Sequence, residues 1–155
     1  MKSSNMPTFH LAQLNIARAK AEMDSEVMRD FVARIVEINA RAEAAPGFVW
    51  RLKDEGNNAL ALRVFDDPLM LVNMSVWQDI ESLRSFVYRS MHVELLRQRE
   101  SWFDKMGVAH QVLWWIPAGH VPSVQEAKDR LEALRAQGPT SDAFTFARPF
   151  PAVPE

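Results

Sequence analysis

Residues 69–86 read LMLVNMSVWQDIESLRSF, and the hydrophobic period changes within this stretch from two to about 3.6. Residues 69–77 predict a buried β-strand whose apolar run is interrupted on one face by Asn73 and Ser75. Asp79 can cap the free N–H groups at the start of a helix. The inward positions of that helix are Ile80, Leu83, Phe86 and Val87. A strand followed directly by an amphipathic helix indicates a mixed α and β fold.

Similar elements flank this stretch. We predict strands at residues 8–17, 48–53 and 110–116, and a returning hairpin arm at 59–65. One helix should begin near Asp24 or Ser25 and end at Ala45-Pro46-Gly47, and another should cover residues 93–105. A capping box from Ser123 to Glu126 starts a last helix, which Gly138-Pro139 ends. This order predicts an α+β fold, with a four-stranded antiparallel sheet, helices on one face and an extra C-terminal helix and tail.

Composition limits the function classes. The 155 residues form one expected domain, 1–155, with its core at about 7–117 and the C-terminal helix and Phe/Pro tail at 122–155. The formal charge of −2 and the lack of a basic stripe argue against nucleic acid as a partner. Without cysteine, the chain has no disulfides, thiolate nucleophiles or Cys-bound metals. We find no signal peptide or membrane-spanning run, so we expect a cytoplasmic protein without a membrane partner.

The second face of the predicted sheet also carries apolar and aromatic groups. Such a face needs a cover, and pairing two sheets in a homodimer would provide one. We expect Gln13, Asn15, Trp50 and Asn73 on this enclosed face. The tail, with Phe144, Phe146 and Phe150, is too apolar for a free end and should pack on the body or on a partner subunit.

The stretch from Asn73 to Phe86 resembles the strand-to-helix segment of the antibiotic-biosynthesis monooxygenase superfamily, in which a Trp closes the third strand and a capped helix begins two residues later. The whole chain resembles more closely an uncharacterised bacterial family of that dimeric α/β-barrel superfamily. The matching motifs are His10-Leu-Ala-Gln13-Leu-Asn15, Pro46-Gly-Phe-Val-Trp50-Arg51-Leu, Phe86-Val-Tyr88-Arg-Ser-Met-His92, Arg97 to Trp102-Phe103, Trp114-Trp115 with Pro117-Ala-Gly-His120, and Phe144 to Pro149.

The resemblance implies a ferredoxin-like dimeric α/β barrel, and it implies little about activity. The superfamily includes cofactor-independent oxygenases, haem-degrading and haem-dependent enzymes, lyases and non-catalytic members, and a shared fold does not choose among them. Residues 54–67, the C-terminal helix and the tail exceed the minimal superfamily domain.

His92 is the candidate catalytic residue. It lies between two predicted helices, where a break in the helix can turn a side chain toward a cavity. A neutral imidazole there could act as a general base, bind substrate or ligate a metal. The alternative is a helix cap or a satisfied, half-buried histidine.

Gln13, Asn15, Asn73 and Ser75 are candidate substrate-binding residues, because all four lie on otherwise apolar strands. Buried amides are costly unless they are paired, and a few polar points in an apolar chamber are typical of a ligand site. The alternative is cross-strand pairing of the amides, which would fix the strand register.

Aromatic and basic residues could supply the walls of such a site. Trp50, Arg51 and one of Trp114 and Trp115 are candidates, and we favour Trp114 over its neighbour. Tyr88 and Trp102 complete the substrate-binding set. Arg97 and Arg99, beside Trp102, would bind a carboxylate or phenolate, or simply face solvent.

No motif for a protein-bound metal, a phosphate loop or a nucleophile elbow is present. We therefore expect no cofactor, with haem as the alternative because it needs a single axial histidine. Our leading hypothesis is a homodimeric small-molecule enzyme, a cofactor-independent, monooxygenase-like oxidoreductase acting on an aromatic or enolisable substrate. The alternatives are a haem-binding protein that uses His92 and a non-catalytic module that holds an apolar ligand.

Overall fold

The structure is a computed structural model, and it describes residues 8–53, 67, 69–90, 102–104 and 109–152. Within these ranges the elements are β1 (Phe9–Arg18), α1 (Arg29–Ala44), β2 (Phe48–Arg51), β3 (Met70–Trp77), α2 (Ile80–Ser90), β4 (Gln111–Pro117) and α3 (Val124–Gln137). The predicted hairpin arm at 59–65 and most of the predicted helix at 93–105 lie outside the described residues.

The strands form a four-stranded sheet in the order β2-β3-β1-β4. Every neighbouring pair is antiparallel, and β1 and β3 are central. Each helix between strands therefore connects two strands that are not adjacent, which is the ferredoxin-like arrangement. The predicted α+β class and four-stranded antiparallel sheet are confirmed.

Alternation along β1 divides the core between the two faces of the sheet. Leu11 packs with Ala42 of α1 and Leu83 of α2, so this side is the α1/α2 face. Ala12 packs with Leu131 of α3, so the opposite side is the α3 face. The C-terminal helix thus covers the side of the sheet that α1 and α2 leave free.

Side chains from three strands and from α3 at the centre of the α3 face are almost fully buried. The sheet contributes Ala12, Leu14, Ile16, Val72, Met74, Val76, Val112, Trp114 and Ile116, and α3 contributes Ala127, Leu131 and Leu134. We had expected a partner subunit to cover a face of this kind. That expectation is corrected, because the chain's own α3 packs on it.

The start of α1 also differs from the prediction. The helix begins at Arg29, and Met28 at its N-cap provides no side-chain hydrogen bond. Ser25 uses its hydroxyl to donate to the carbonyl oxygen of Glu22 at 2.5 Å. A side chain that bonds to the preceding backbone favours a turn over a helix start, so residues 24–28 remain outside the helix.

Two predicted helix caps are confirmed. The Asp79 carboxylate accepts from the backbone N–H of Ser82 at 2.8 Å, and the Ser123 hydroxyl accepts from the backbone N–H of Glu126 at 3.0 Å. Gly138, at φ 77°, ends α3 as expected. The described helices include none that is long and apolar enough to cross a bilayer.

Candidate functional site

The strand register aligns side chains in three rows across the α1/α2 face. An aromatic row runs through Phe48, Trp77, Leu11 and Trp115. The next row, here called the polar row, runs through Arg51, Ser75, Gln13 and Leu113. An amide row follows, with Asn73, Asn15 and Gln111. Paired residues on neighbouring strands lie on the same side of a sheet, so the three rows are contiguous.

Gln13 is the centre of a hydrogen-bonded cluster that joins the polar and amide rows. Its Nε2 donates to Asn73 Oδ1 at 2.7 Å and to Ser75 Oγ at 2.9 Å, and it lies 3.4 Å from the backbone oxygen of Asn73. Gln13 is only 3 % exposed, whereas Asn73 is exposed. The cluster therefore leads from the buried middle of the sheet to its surface.

Trp77 belongs to the same cluster, although it lies in the aromatic row. Its indole Nε1 donates to Ser75 Oγ at 2.8 Å, so that oxygen accepts from both Trp77 and Gln13. The Trp77 ring stacks on Phe86 of α2 at 5.2 Å between centroids and meets Phe48 edge-on at 5.5 Å. These ring contacts hold the indole and, through it, the hydroxyl of Ser75.

Arg51 places a buried positive charge at the end of the polar row. It is 6 % exposed, and its Nε donates to Glu43 Oε2 of α1 at 2.8 Å. A buried guanidinium needs such a partner, because an isolated buried charge is strongly unfavourable. The ion pair thus joins α1 to the edge of the sheet beside Ser75.

The structure brings together five of the predicted site residues: Gln13, Asn15, Arg51, Asn73 and Ser75. The alternative interpretation, cross-strand pairing of the amides, is seen in the bond between Gln13 and Asn73, and the ligand-site interpretation stays a prediction. The cluster lies on the α1/α2 face, however, and not on a face left for a partner subunit. That expectation is corrected, because α1 and α2 pack beside these residues.

Trp50 and Trp114 lie on the α3 face, where they pack with the core beneath α3. Neither can line a site around Gln13, so our grouping of these residues is corrected. Trp114 is fully buried, and Trp115 is the tryptophan of that pair on the α1/α2 face. The indole of Trp115 donates to the backbone oxygen of Phe150 in the tail at 2.8 Å.

The remaining predicted residues are not part of the cluster. Tyr88 on α2 is 85 % exposed. Trp102 is buried in a separate group with Ala19, Met28 and Leu71, and its ring lies 5.6 Å from that of Phe31. His92, Arg97 and Arg99 lie outside the described residues.

Trp77 is the site residue that sequence reasoning missed. We took it as the residue that closes β3 and assigned it no role in the site. Its position offered a signal. Asn73, Ser75 and Trp77 occupy every second position of β3, so their side chains share one face of the strand.

A second polar group lies at the start of α3, on the other side of the sheet. Glu126 accepts from the indole N–H of Trp114 at 2.9 Å, and its second oxygen lies 2.8 Å from His120 Nε2. Burial acts to raise the pKa of Glu126, but the hydrogen bonds from His120, from Trp114 and from the backbone N–H of Ser123 outweigh it, so the pKa lies below its usual value. This group anchors α3 to β4.

In the part of the chain that the structure describes, no three or more histidine, aspartate or glutamate side chains are grouped so that they could hold a metal ion. A narrow apolar recess on the α3 face is lined by Leu14, Leu52, Val72, Met74, Val124 and Ala127. None of these six described lining residues has a polar side chain that could orient a ligand.

The sequence matches one family model, described as Domain of unknown function (DUF3291), over residues 10–155. The chain belongs to the DUF3291 family. This confirms our expectation of an uncharacterised family. A comparison with curated proteins gives no match.

Several solved structures resemble this DUF3291 chain weakly. One is a variant of SnoaB, a cofactor-independent oxygenase from Streptomyces nogalater, at 15 % identity and TM-score 0.44, covering 72 % of this chain and 95 % of that one. A protein of unknown function from Nitrosomonas europaea has 14 % identity and a TM-score of 0.43, and the match covers 76 % of this chain and 99 % of that one. A candidate antibiotic biosynthesis monooxygenase from the same organism has 12 % identity and a TM-score of 0.41, and the match covers 75 % of this chain and 93 % of that one. Our fold assignment rests on strand order and register.

Proposed function

We propose that this chain is a small-molecule enzyme, a cofactor-independent, monooxygenase-like oxidoreductase whose substrate binds at Asn73 and Asn15, the two asparagines of the amide row. The observation that carries the proposal is the cluster around Gln13. Its Nε2 is occupied by Asn73 and Ser75, while its Oε1 has no partner among the described residues. The bond from Gln13 Nε2 holds the exposed Asn73 amide in place, so this amide can meet a negative oxygen of a substrate without reorganising.

The reaction needs little from the protein. An activated CH2 group loses a proton to give an enolate, which reacts with O2; the carbon becomes C=O, and the second oxygen leaves as water with the two hydrogens. The substrate itself supplies all four electrons that reduce O2, so no external reductant is needed. The protein has to remove the proton and stabilise the negative oxygen, and amide N–H groups fixed in place do the latter well.

We assign the stabilising role to the amides of Asn73 and Asn15, which are paired across β3 and β1. His92 is our proposed base. It lies outside the described residues, and its role rests on the chemistry of imidazole alone. Gln13 holds the Asn73 amide, Ser75 holds Gln13, and Arg51 adds a positive charge to the polar row.

Oxygen consumption with polycyclic phenols and enolisable ketones, such as anthrone, tests this function. We expect one O2 consumed per product and a loss of about 10²–10³-fold in kcat for Asn73→Ala, as for other oxyanion donors. Gln111→Ala, at the far end of the amide row, is the matched control and should change the rate little. If no compound of either class causes oxygen uptake above the uncatalysed rate, the oxygenase proposal is wrong.

Hemin titration separates this proposal from the haem alternative. A Soret shift that is lost in His92→Ala would support haem binding. A spectrum equal to that of free hemin would exclude it.

We also propose a homodimer, on the basis of the family resemblance. The original reason was an uncovered sheet face, and α3 removes that reason. Light scattering at micromolar concentration tests the proposal: we expect about twice the mass of one chain, and a monomer mass at all concentrations would contradict it.

A further inference from the structure

The two ends of the Gln13 amide can be assigned from their neighbours. The end that contacts Ser75 and Asn73 also lies 3.4 Å from the backbone oxygen of Asn73, which can only accept. An amide oxygen there would face another oxygen, so this end is the nitrogen. Its two hydrogens are used by the two shorter bonds, at 2.7 and 2.9 Å.

This assignment determines the orientation of the Asn73 amide. Asn73 Oδ1 accepts from Gln13 and therefore points inward along the sheet. Its Nδ2 is bonded to the same carbon and points away from Gln13. Asn73 is exposed, and Nδ2 has no partner among the described residues. The surface end of the cluster thus presents N–H groups to a ligand.

Ser75 and Trp77 fix the buried end of the hydrogen-bonded cluster around Gln13. The indole N–H can only donate, and it is committed to Ser75 Oγ at 2.8 Å. Trp77 is 1 % exposed, so it has neither a free N–H nor free surface to offer a ligand. Its contribution is to hold Ser75, which in turn holds Gln13.

We propose that Gln13 is a positioning residue that keeps the N–H groups of Asn73 turned outward, so that the site selects ligands with an anionic or carbonyl oxygen, such as a phenolate or enolate. This inference rests on the proposed function, because it identifies the part of the substrate that Asn73 binds. It also makes a direct statement about the orientation of one amide in the free protein.

Gln13→Glu is the decisive variant. A carboxylate has nearly the same shape as the amide but only accepts, so Asn73 has to turn its N–H groups inward and present its oxygen to the ligand. Gln111→Glu is the matched control, because it adds the same charge to the same face two strands from Asn73. Gln13→Met removes the bonds without adding charge, and it serves if the buried carboxylate prevents folding.

The free protein gives the first measurement. Nuclear magnetic resonance resolves side-chain NH2 groups, and we measure exchange of the Asn73 pair with water. We expect fast exchange in the wild type and in Gln111→Glu. Gln13→Glu should slow it at least about fivefold, since a charge-assisted bond then protects one of the hydrogens. Protected Asn73 protons in the wild type would overturn the inference, whether or not any ligand binds.

The second measurement uses 4-nitrophenol, whose phenolate has a distinct absorption band. We expect the bound phenol to have a pKa lowered by about one unit, because N–H donors favour the charged form. This lowering should be lost in Gln13→Glu and in Gln13→Met and largely kept in Gln111→Glu. An equal lowering in all four proteins would refute the role of Gln13 and leave the site itself in place.

Absence of 4-nitrophenol binding would count against the anionic-oxygen selectivity inferred for this site. Oxygen uptake by other substrates would then decide the proposed function separately, so the two failures are distinguishable.

Discussion

Gly47 joins α1 to β2 and shows how a single residue holds the α1/α2 face together. It has φ +85°, a region that side chains with a Cβ rarely adopt, and a Cβ there would overlap the side chain of Ser82 on α2. Its carbonyl oxygen also accepts from the backbone N–H of Gln78 at 2.7 Å. This close approach keeps α2 against the turn, beside the aromatic row.

We predict that Gly47→Ala destabilises the protein by about 2–4 kcal/mol, from about 1–2 kcal/mol of backbone strain plus the overlap with Ser82. Gly119→Ala is the control: Gly119 has φ +93° but open space around it, so it should cost about 1–2 kcal/mol. Urea unfolding measures both. Equal losses of stability in Gly47→Ala and Gly119→Ala would show that the contact with α2 has no energetic weight. Adding Ser82→Gly should partly restore the stability of Gly47→Ala and should not restore that of Gly119→Ala.

At the scale of elements, alternation separated the two faces of β1 and β4, but it placed Trp50 on the wrong face and did not determine which helix covers either face. Alternation correctly separated Gln13 from Leu14 and Trp114 from Trp115. The choice between the two tryptophans required the β1–β4 register, in which Gln13 pairs with Leu113 and Ala12 with Trp114. Register depends on contacts between distant segments, so no local pattern could supply it.

The tail is the element whose packing the sequence anticipated on composition alone. Phe144 forms two backbone hydrogen bonds with Leu113, both at 2.8 Å, along the outer edge of β4. Its ring is fully buried and lies 6.3 Å from Trp115 and 6.0 Å from Phe150. The expectation that the tail packs on the body is confirmed for residues 140–152. Because Phe144 pairs with Leu113, the tail adds one residue to the polar row on the outer side of β4.

We predict that Phe144→Ala lowers the free energy of unfolding by about 3–5 kcal/mol, as expected for a buried phenylalanine. Phe146→Ala is the matched control. Phe146 is half-buried, with Arg84 over its ring at 5.7 Å, and should cost only about 1 kcal/mol. Denaturant unfolding with far-ultraviolet circular dichroism measures the difference. A loss below 1 kcal/mol for Phe144→Ala would mean that the tail contributes little to the folded state.

For the whole molecule, two carboxylates indicate how stability depends on acid. The backbone N–H of Leu69 and the guanidinium of Arg18 lower the pKa of Asp67, and the donors around Glu126 lower its pKa despite burial. A carboxylate with a lowered pKa in the folded state stabilises that state above its unfolded pKa, about 3.9 for Asp and 4.3 for Glu. This contribution is lost as the pH falls through the lowered, folded value.

We therefore expect these two carboxylates to contribute little to any change of the urea midpoint near neutral pH. Once the pH drops below about 4, their protonation should lower the midpoint. Glu126→Gln should be less stable than the wild type at pH 7, because the anion that binds Trp114 and His120 is lost. The two midpoints should converge as the pH decreases, since wild-type Glu126 then becomes neutral as well. Glu132→Gln, on the exposed side of α3, removes the same charge and should follow the wild type throughout. If the midpoints of wild type and Glu126→Gln run parallel over the whole pH range, the Glu126 carboxylate does not contribute to the loss of stability in acid.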